Sequence, residues 1–313
     1  MTQSYPIGTP GQPWGDAEKQ QWLAQQVWRR SYLDEVVQPL QQHLDRLSEH
    51  FCAHQYGTLP YANVMPKAID YPLHIVLPRH LDEKLPTVLV TGGVHGYETS
   101  GVHGALQFLA TRAVDYLSSF NVVIAPCVSP WGYETINRWN PAAIDPNRSF
   151  KQPSAAPEAE FLMSFLQQHN IQPLVHIDLH ETTDTDNSEF RPALAARDAV
   201  EQKAWHIPDG FYTVGNAELP EPDFQHAIIT SVAAVTHIAP PDPDGKLIGA
   251  DIEQPGVIHY AGKKLGLCMG LSDARYVSTT EVYPDSDKTT PAECIAAQVA
   301  AVCGGLDYVR ARI

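Results

Sequence analysis

The sequence lacks both a long hydrophobic run and the start of a secretory signal. No stretch of its 313 residues approaches the roughly 18 consecutive apolar residues of a membrane-spanning helix. The first residues, MTQSYPIGTPGQPWGDAEKQQ, carry neither a basic start nor an apolar core. We therefore expect a cytoplasmic protein with no membrane contact.

Cysteine is also scarce, and no two cysteines form a CxxC pair. A small, odd number of scattered thiols favours reduced, core-filling side chains over a disulfide framework. The cysteines are Cys52, Cys127, Cys268, Cys294 and Cys303. The GxSxG elbow of serine hydrolases is absent as well, which disfavours that class of enzyme.

Positive charge is the third shortage, because 21 basic residues face 36 acidic ones and the formal net charge is −15. Such a surface repels polyanions, so nucleic acid and anionic membranes are not expected partners. The sign of the charge inside a cleft stays open. A hydrophobic content of 43% is enough for a sizeable core.

The N-terminal part of the chain differs from the rest. Residues 1–15 are rich in Gly and Pro and predict a mobile or surface-draped leader. Apolar residues recur at helical spacing over residues 16–50, with Pro39 predicting a kink or a boundary between two helices. We assign residues 1–60 to a leader and helical extension and residues 61–313 to the main domain, packed together as one unit.

The main domain alternates strands and helices. Strands are predicted over residues 71–78, 87–93, 121–128 and 173–180, and helices over 98–114 and 157–170. This order predicts an α/β sandwich with a largely parallel sheet, in which ligands bind beyond the carboxyl ends of the strands. Residues 182–254 are rich in loops around a buried element at 227–239, and residues 291–312 predict a closing helix interrupted near Gly304 and Gly305.

A histidine and a glutamate follow the second predicted strand in TGGVHGYETSG, residues 91–101. His95 and Glu98 stand where the chain turns through two glycines into a helix, so both side chains can reach one point above the sheet edge. Imidazole and carboxylate are suitable zinc ligands, but a catalytic zinc needs a third protein ligand and an open position. The pair alone is therefore a weak signal.

The strand HIDLHET, residues 176–182, offers the third ligand. Strand periodicity puts His176, Asp178 and His180 on one face, and His180 falls at the carboxyl end. His176 lies deeper and fits a hydrogen-bonded core histidine. We therefore choose His180 as the ligand, with His176 and His103 as spare donors for a second ion.

An arginine-containing loop, INRWNPAAIDPNRSF at residues 136–150, follows the strand 121–128. Arg138 and Arg148 in a Pro-rich loop of an acidic protein indicate anion recognition, since arginine binds carboxylates in a bidentate manner. Asn147 can add amide hydrogen bonds. The alternative is a surface salt bridge.

These three motifs together resemble the zinc carboxypeptidase superfamily, which includes carboxypeptidase A-like enzymes and the succinylglutamate desuccinylase and aspartoacylase deacylases. The resemblance rests on HxxE at 95–98, DPNR at 145–148 and DLH at 178–180, in that order, and spans residues 70–290. It implies a three-layer α/β sandwich with a mixed, largely parallel sheet, the carboxypeptidase-like fold of zinc exopeptidases. Residues 61–313 would form the catalytic domain.

The resemblance also implies roles for individual residues. One zinc ion per chain would be held by His95, Glu98 and His180, the His₂Glu set known from carboxypeptidase A. Asn147 and Arg148 would bind the terminal carboxylate of the substrate, and Arg138 would polarise the scissile carbonyl. Asp145 would orient His95.

The family needs two further residues late in the chain. Glu281, on the predicted strand of STTEVYP, fits the general base, where Glu253 would otherwise be a rival. Tyr260 fits the family tyrosine by its interval before Glu281, with Tyr276 as the alternative.

We expect an enzyme: a metallocarboxypeptidase that hydrolyses a C-terminal peptide bond with a zinc-activated water. The alternatives are an N-acyl-amino-acid deacylase and a non-catalytic binding protein on the same fold. The substrate is expected to be acidic if Lys263 or Lys264 points inward and apolar if Leu267 or Met269 does. The acidic DTDNSE segment at 184–189 favours either a solvated loop or an amine-bearing substrate. Oligomeric state and the choice among divalent metals stay open.

Overall fold

The structure, a computed structural model, describes residues 5–203 and 205–313, so the first four residues of the predicted leader lie outside it. An eight-stranded sheet forms its centre, and a two-stranded ribbon lies apart from it. The strands are β1 (Phe51–Leu59), β2 (Tyr71–Pro78), β3 (Thr87–Gly92), β4 (Asn121–Ala125), β5 (Pro173–Glu181), β6 (Tyr212–Asn216), β7 (Lys246–Leu247), β8 (Ala250–Asp251), β9 (Val257–Tyr260) and β10 (Tyr276–Val282).

The central sheet has the strand order β1-β2-β4-β3-β5-β10-β6-β9. The middle strands β4, β3, β5 and β10 run parallel. The pairs β1–β2, β2–β4 and β10–β6 are antiparallel, and β6 pairs with β9 in parallel. Strand β4 ends earlier than predicted because Pro126 follows it, and proline has no backbone N–H for the ladder. The mixed, largely parallel sheet is confirmed.

Helices cover the sheet. They are α1 (Asp16–Ala24), α2 (Gln38–Arg46), α3 (Thr99–Thr111), α4 (Pro130–Thr135), α5 (Pro157–Gln168), α6 (Arg191–Asp198), α7 (Pro222–Val232), α8 (Gly262–Leu265) and α9 (Pro291–Arg310). Helices α3, α7 and α9 pack together on one face, where Gly305 of α9 lies against Ile177 of β5. On the other face, His176 and Asp178 of β5 face Cys268. The predicted three-layer α/β sandwich is therefore confirmed.

The N-terminal extension shares the core of the main domain. The predicted helical stretch is broken at residues 25–32, and Pro39 instead sits where a π-helical turn at Leu33–Val37 passes into α2. Strand β1, which the irregular alternation of FCAHQYGTL did not reveal, joins the sheet beside β2. In the described part of the leader, Ile7 and Trp14 are only 1% and 6% exposed, while residues 8–13 between them lie on the surface.

Helix α9 continues through Gly304 and Gly305, so the predicted interruption was wrong. A Cβ atom at Gly304 would lie 2.5 Å from Cβ of Ser231 in α7. The glycine therefore allows two helices to approach closely instead of ending one. Helix α9 is also long and apolar enough to span a membrane by length and composition, but half of its apolar window is buried, as in a core helix.

Replacing Gly304 by alanine should test this close approach. Alanine favours a helix interior by about 1 kcal/mol over glycine. The clash with Ser231 should outweigh that gain, because overpacking costs about 1–3 kcal/mol. We expect a lower urea midpoint at an unchanged m-value. A variant as stable as the wild type would contradict the packing of α7 on α9.

Candidate active site

The candidate site lies at the carboxyl ends of the parallel strands. His95 and Glu98 occupy the turn between β3 and α3, and Glu98 is the residue that precedes the first turn of α3. The turn is pressed against the start of α4, since a Cβ atom at Gly96 would lie 2.1 Å from the backbone nitrogen of Tyr133. Only glycine fits this position, which explains the glycines around the HxxE motif.

His95, Glu98 and His180 converge beneath this turn. Nδ1 of His95 is 2.8 Å from Oε1 of Glu98, and Nδ1 of His180 is 2.6 Å from Oε2 of Glu98. One ligand atom from each of the three side chains lies within 4.8 Å of the others, and all three residues are buried. Sequence motifs about 80 residues apart are thus brought to one point by parallel strands.

The outer nitrogens of both imidazoles contact carboxylates. Nε2 of His95 is 3.0 Å from Oδ1 of Asp145, and Nε2 of His180 is 2.8 Å from Oδ2 of Asp178. Each outer carboxylate fixes the ring and leaves Nδ1 facing Glu98, the arrangement that orients histidine ligands in metal sites. The donor set therefore fits a divalent cation.

The charges around the two imidazoles also fit a divalent cation. Burial opposes ionisation of Glu98, but His180 and His95 together hold its pKa at about 2. Burial also lowers the pKa of His180, yet Glu98 and Asp178 outweigh it and raise that pKa well above its usual value. A cluster of ionised carboxylates around two imidazoles is an environment that a divalent cation would neutralise.

The two spare histidines differ in their surroundings. His103 lies on α3 with Nε2 3.0 Å from the hydroxyl of Tyr133, which in turn bonds Glu35 of the N-terminal extension. His176 is buried beside Asp178 and Cys268, and its Nε2 is 3.0 Å from Oγ1 of Thr91. Oγ1 of Thr91 also donates to Asp178 at 2.6 Å, so Thr91 occupies the centre of this second group of potential ligands.

Arg138 is held by two carboxylates at the edge of the site. Its Nε donates to Oδ2 of Asp145 at 3.2 Å, and its Nη1 donates to Oδ1 of Asp186 at 3.3 Å. Asp186 is itself buried and accepts a hydrogen bond from the hydroxyl of Tyr97 at 3.3 Å. Asp186 of the DTDNSE segment therefore belongs to the site. Four other residues of the segment are exposed, as in a solvated loop: Asp184, Thr185, Ser188 and Glu189.

Asn147 and Arg148 stand together in the same cleft. Oδ1 of Asn147 accepts from the backbone N–H of Cys268 at 2.7 Å, which leaves its amide hydrogens as donors. Nη1 of Arg148 donates to the carbonyl of Asn147 at 2.7 Å, and among the described residues no carboxylate pairs with Arg148. Two neighbouring donors without an acidic partner are suited to binding an anion.

Glu281 lies beside His180 because β5 and β10 are parallel and these two residues are partners in the register. Oε2 of Glu281 accepts from Oγ1 of Thr182 at 2.9 Å, and Thr182 shares a hydrogen bond with the hydroxyl of Tyr212. The rival Glu253 is 59% exposed and lies near His259. Only Glu281 of these two glutamates lines the cleft.

The two candidates for the family tyrosine differ in position, and so do the candidates for the residue that sets specificity. Tyr260 lines the cleft, whereas Tyr276 is packed between Phe224 and Tyr308. Leu267 and Met269 line the cleft. Lys263 is 64% exposed and pairs with Asp273, so neither it nor Lys264 supplies charge to the cleft.

Sequence reasoning missed several residues of this cleft. Pro13 and Trp14 of the leader and Lys19 of α1 form part of one wall, and the Trp14 backbone N–H donates to the carbonyl of Arg197 at 2.8 Å. Arg191 and Arg197 of α6 also line the cleft. No motif marks them, because their positions follow from loop packing rather than from strand order.

The metal-free protein should lose stability as the pH rises, because of Glu281. Burial raises the pKa of this carboxyl from 4.5 to about 8, with His180 opposing the shift and Glu98 adding to it. The native state then binds this proton more tightly than the unfolded state, so stability falls between these two pH values. Urea midpoints of the chelated wild type should drop toward pH 8 relative to chelated Glu281→Gln. A constant difference between the two proteins would contradict the shift.

Comparison with known proteins adds to this geometry. Residues 84–213 match the family described as the succinylglutamate desuccinylase/aspartoacylase catalytic domain. A search of curated proteins finds no match to the chain.

Solved structures resemble nearly the whole chain. A proposed metallopeptidase from Shewanella amazonensis SB2B is 18% identical with a TM-score of 0.66, over 91% of this chain and 98% of that one. A metallo-carboxypeptidase from Burkholderia cenocepacia is 17% identical with a TM-score of 0.57, over 87% of this chain and 68% of that one. A metallo-carboxypeptidase from Pseudomonas aeruginosa, in complex with (2-guanidinoethylmercapto)succinic acid, is 15% identical with a TM-score of 0.54, over 86% and 68%.

At these identities the structural likeness establishes the carboxypeptidase-like fold. The family match covers β3, β4 and β5, and with them the turn that carries His95 and Glu98 and the strand that carries His180. In its fold and in this matched segment, the chain is similar to the zinc carboxypeptidase-like superfamily, which includes the succinylglutamate desuccinylase and aspartoacylase enzymes.

Proposed function

We propose that this protein is a zinc-dependent metallocarboxypeptidase that hydrolyses the C-terminal peptide bond of its substrate. One observation carries the proposal: the candidate metal ligands His95 and Glu98 line one cleft of about 980 Å³ together with the Asn147/Arg148 pair, and the third candidate ligand, His180, contacts Glu98. A site that holds a metal beside a receptor for a carboxylate fits a peptide bond close to a free carboxyl end.

His95, Glu98 and His180 would hold the zinc ion, with one position left for water or substrate. Bound there, zinc would supply Lewis-acid polarisation of the carbonyl and lower the pKa of water toward about 7. Asp145 and Asp178 would keep the two imidazoles in the ligating orientation.

The chain's own residues would place and activate the substrate. The amide hydrogens of Asn147 and the guanidinium of Arg148 would bind the terminal carboxylate, which fixes the scissile bond near the metal ligands. Tyr260, on the cleft wall, would close over the same end of the substrate. Positioning by such contacts can account for a large share of an enzyme's rate enhancement.

Glu281 would act as the general base and then as the general acid. Its carboxylate accepts a proton from the attacking water and returns it to the leaving amine. The hydrogen bond from Thr182 to Oε2 holds one oxygen, which leaves Oε1 for the proton. Arg138 would stabilise the negative charge that develops on the carbonyl oxygen.

A deacylase acting on N-acyl amino acids is the second candidate. It is favoured by the family match over residues 84–213, which names deacylase catalytic domains. Both reactions would use the same metal ligands and base, and they differ in what lies on the acyl side of the bond. A binding protein without catalysis is the third candidate, and it would not need Glu281 beside the metal ligands.

A substrate panel tests the proposal. The purified protein, loaded with zinc, is assayed on blocked dipeptides and on N-acetyl and N-succinyl amino acids, before and after chelation. Release of the C-terminal residue that stops on chelation and returns with zinc supports the carboxypeptidase. Turnover of the acyl amino acids alone would assign the deacylase, and no turnover in zinc-loaded protein would overturn both.

A further inference from the structure

Cationic and acidic side chains line the cleft in equal numbers, although the protein as a whole carries a formal net charge of −15. Its cationic side chains fall into two groups. Arg138 and Arg197 are neutralised by Asp145, Asp186 and Asp198. The others have no carboxylate partner within 4.0 Å among the described residues; they are Lys19, Arg148, Lys151 and Arg191. The cleft therefore offers more cations than a single terminal carboxylate requires.

Arg191 is the best fixed of these cations. It begins α6, its Cζ lies 4.7 Å from the centre of the Trp205 ring, and its Nη2 donates to the carbonyl of Lys203. Stacking on tryptophan and a backbone hydrogen bond preorganise a guanidinium without neutralising it. Its Nε is buried and has no hydrogen-bond partner among the described residues. An unpaired buried donor is costly unless a ligand satisfies it.

Arg191 faces the same space as the proposed carboxylate receptor. Burial and the Glu281 carboxylate raise the pKa of the Tyr260 hydroxyl, and Arg148 and Arg191 both act against that rise, so both cations lie near this side chain. Leu267 and Met269 line the cleft with them. An apolar wall next to a guanidinium suits a substrate side chain that has methylene groups and a terminal carboxylate.

We infer that Arg191 is a specificity-determining residue that binds a second carboxylate, so that the enzyme prefers substrates whose C-terminal residue has an acidic side chain. The inference rests on the proposed function for the reaction but not for the binding. The sequence alternatives placed the charge on Lys263 or Lys264 of α8, neither of which lines the cleft. The structure places a cation on α6 instead.

Matched peptides test the preference in turnover. Benzoyl-Gly-Glu and benzoyl-Gly-Gln have nearly the same shape and differ in the second carboxylate. Arg191→Met should lower kcat/KM for the glutamate peptide by about 10- to 100-fold, the effect of one hydrogen bond to a charged group, and leave the glutamine peptide nearly unchanged. Arg191→Lys should restore part of the preference. Lys263→Met, which removes an exposed cation outside the cleft, is the control and should change neither value.

Binding to an inactive protein separates this inference from the proposed reaction. Zinc-loaded Glu281→Gln protein, with and without Arg191→Met, is titrated calorimetrically with the same two peptides. Tighter binding of the glutamate peptide by about tenfold or more, lost with Arg191→Met, supports the inference even if no peptide is cleaved. Equal binding of both peptides, a preference that survives Arg191→Met, or no binding of either peptide would overturn it.

Discussion

Glu281→Gln is expected to lower kcat by about 10²- to 10⁴-fold, the usual contribution of a general acid–base residue. Glutamine keeps the size of the side chain and can still contact Thr182, but it cannot accept the proton of the attacking water. Glu281 is not among the candidate metal ligands, so the variant should retain its metal. Turnover on the best substrate of the panel, measured together with metal content, checks both halves of this expectation.

Glu253→Gln is the matched control for this experiment. Glu253 is the other glutamate that the sequence allowed as base, but it is 59% exposed and does not line the cleft. The same chemical change there should leave kcat and KM unchanged. Activity that survives Glu281→Gln, or that fails equally in both variants, would remove Glu281 from the proposed mechanism.

His180→Ala should abolish metal binding at stoichiometric concentrations and turnover with it. Loss of an outer hydrogen-bond partner lowers metal affinity by about 10- to 100-fold, and removing a ligand itself should lower it further. The substitution also takes a partner from both Glu98 and Asp178, which are buried. Breaking a buried pair costs about 3–5 kcal/mol, so the metal-free variant should also unfold at a lower urea concentration than the metal-free wild type.

His103→Ala provides the control for His180→Ala. His103 belongs to α3 and contacts Tyr133, outside the group that could hold the metal. Competition with a chromophoric chelator should give the wild-type zinc affinity for this variant. Full metal content in His180→Ala, or loss of metal in His103→Ala, would contradict the proposed ligand set.

The sequence predicted the parts of the site that follow directly from strand order. The predicted strands include β3 and β5, and the carboxyl ends of parallel strands meet at one edge, so residues near these ends come together. His95, Glu98 and His180 belong to this class, whereas Glu281 is favoured over Glu253 only through the family resemblance. Alternation along β5 also placed Asp178 on the same face as His180, where it contacts the ring.

Other features depend on packing that a linear pattern does not encode. Strand β1 sits beside β2 with a register shift between Gln55 and Gly57, which disrupts its alternation. Glycine is unfavourable inside a helix, but Gly304 is needed there because Ser231 of α7 lies close to it. Arg191 and Trp14 reach the cleft because the leader and α6 fold over it, and neither segment carries a motif.

The pairing of His180 with Glu281 across β5 and β10 constrains how such an enzyme can change over evolution. The distance between ligand and proposed base is set by neighbouring strands, and a one-residue deletion in β10 would turn Glu281 to the opposite face of the sheet. Selection should therefore act against insertions or deletions in these strands. They should be tolerated in the leader and around α6, so descendants of this chain can acquire new substrates while the reaction stays the same.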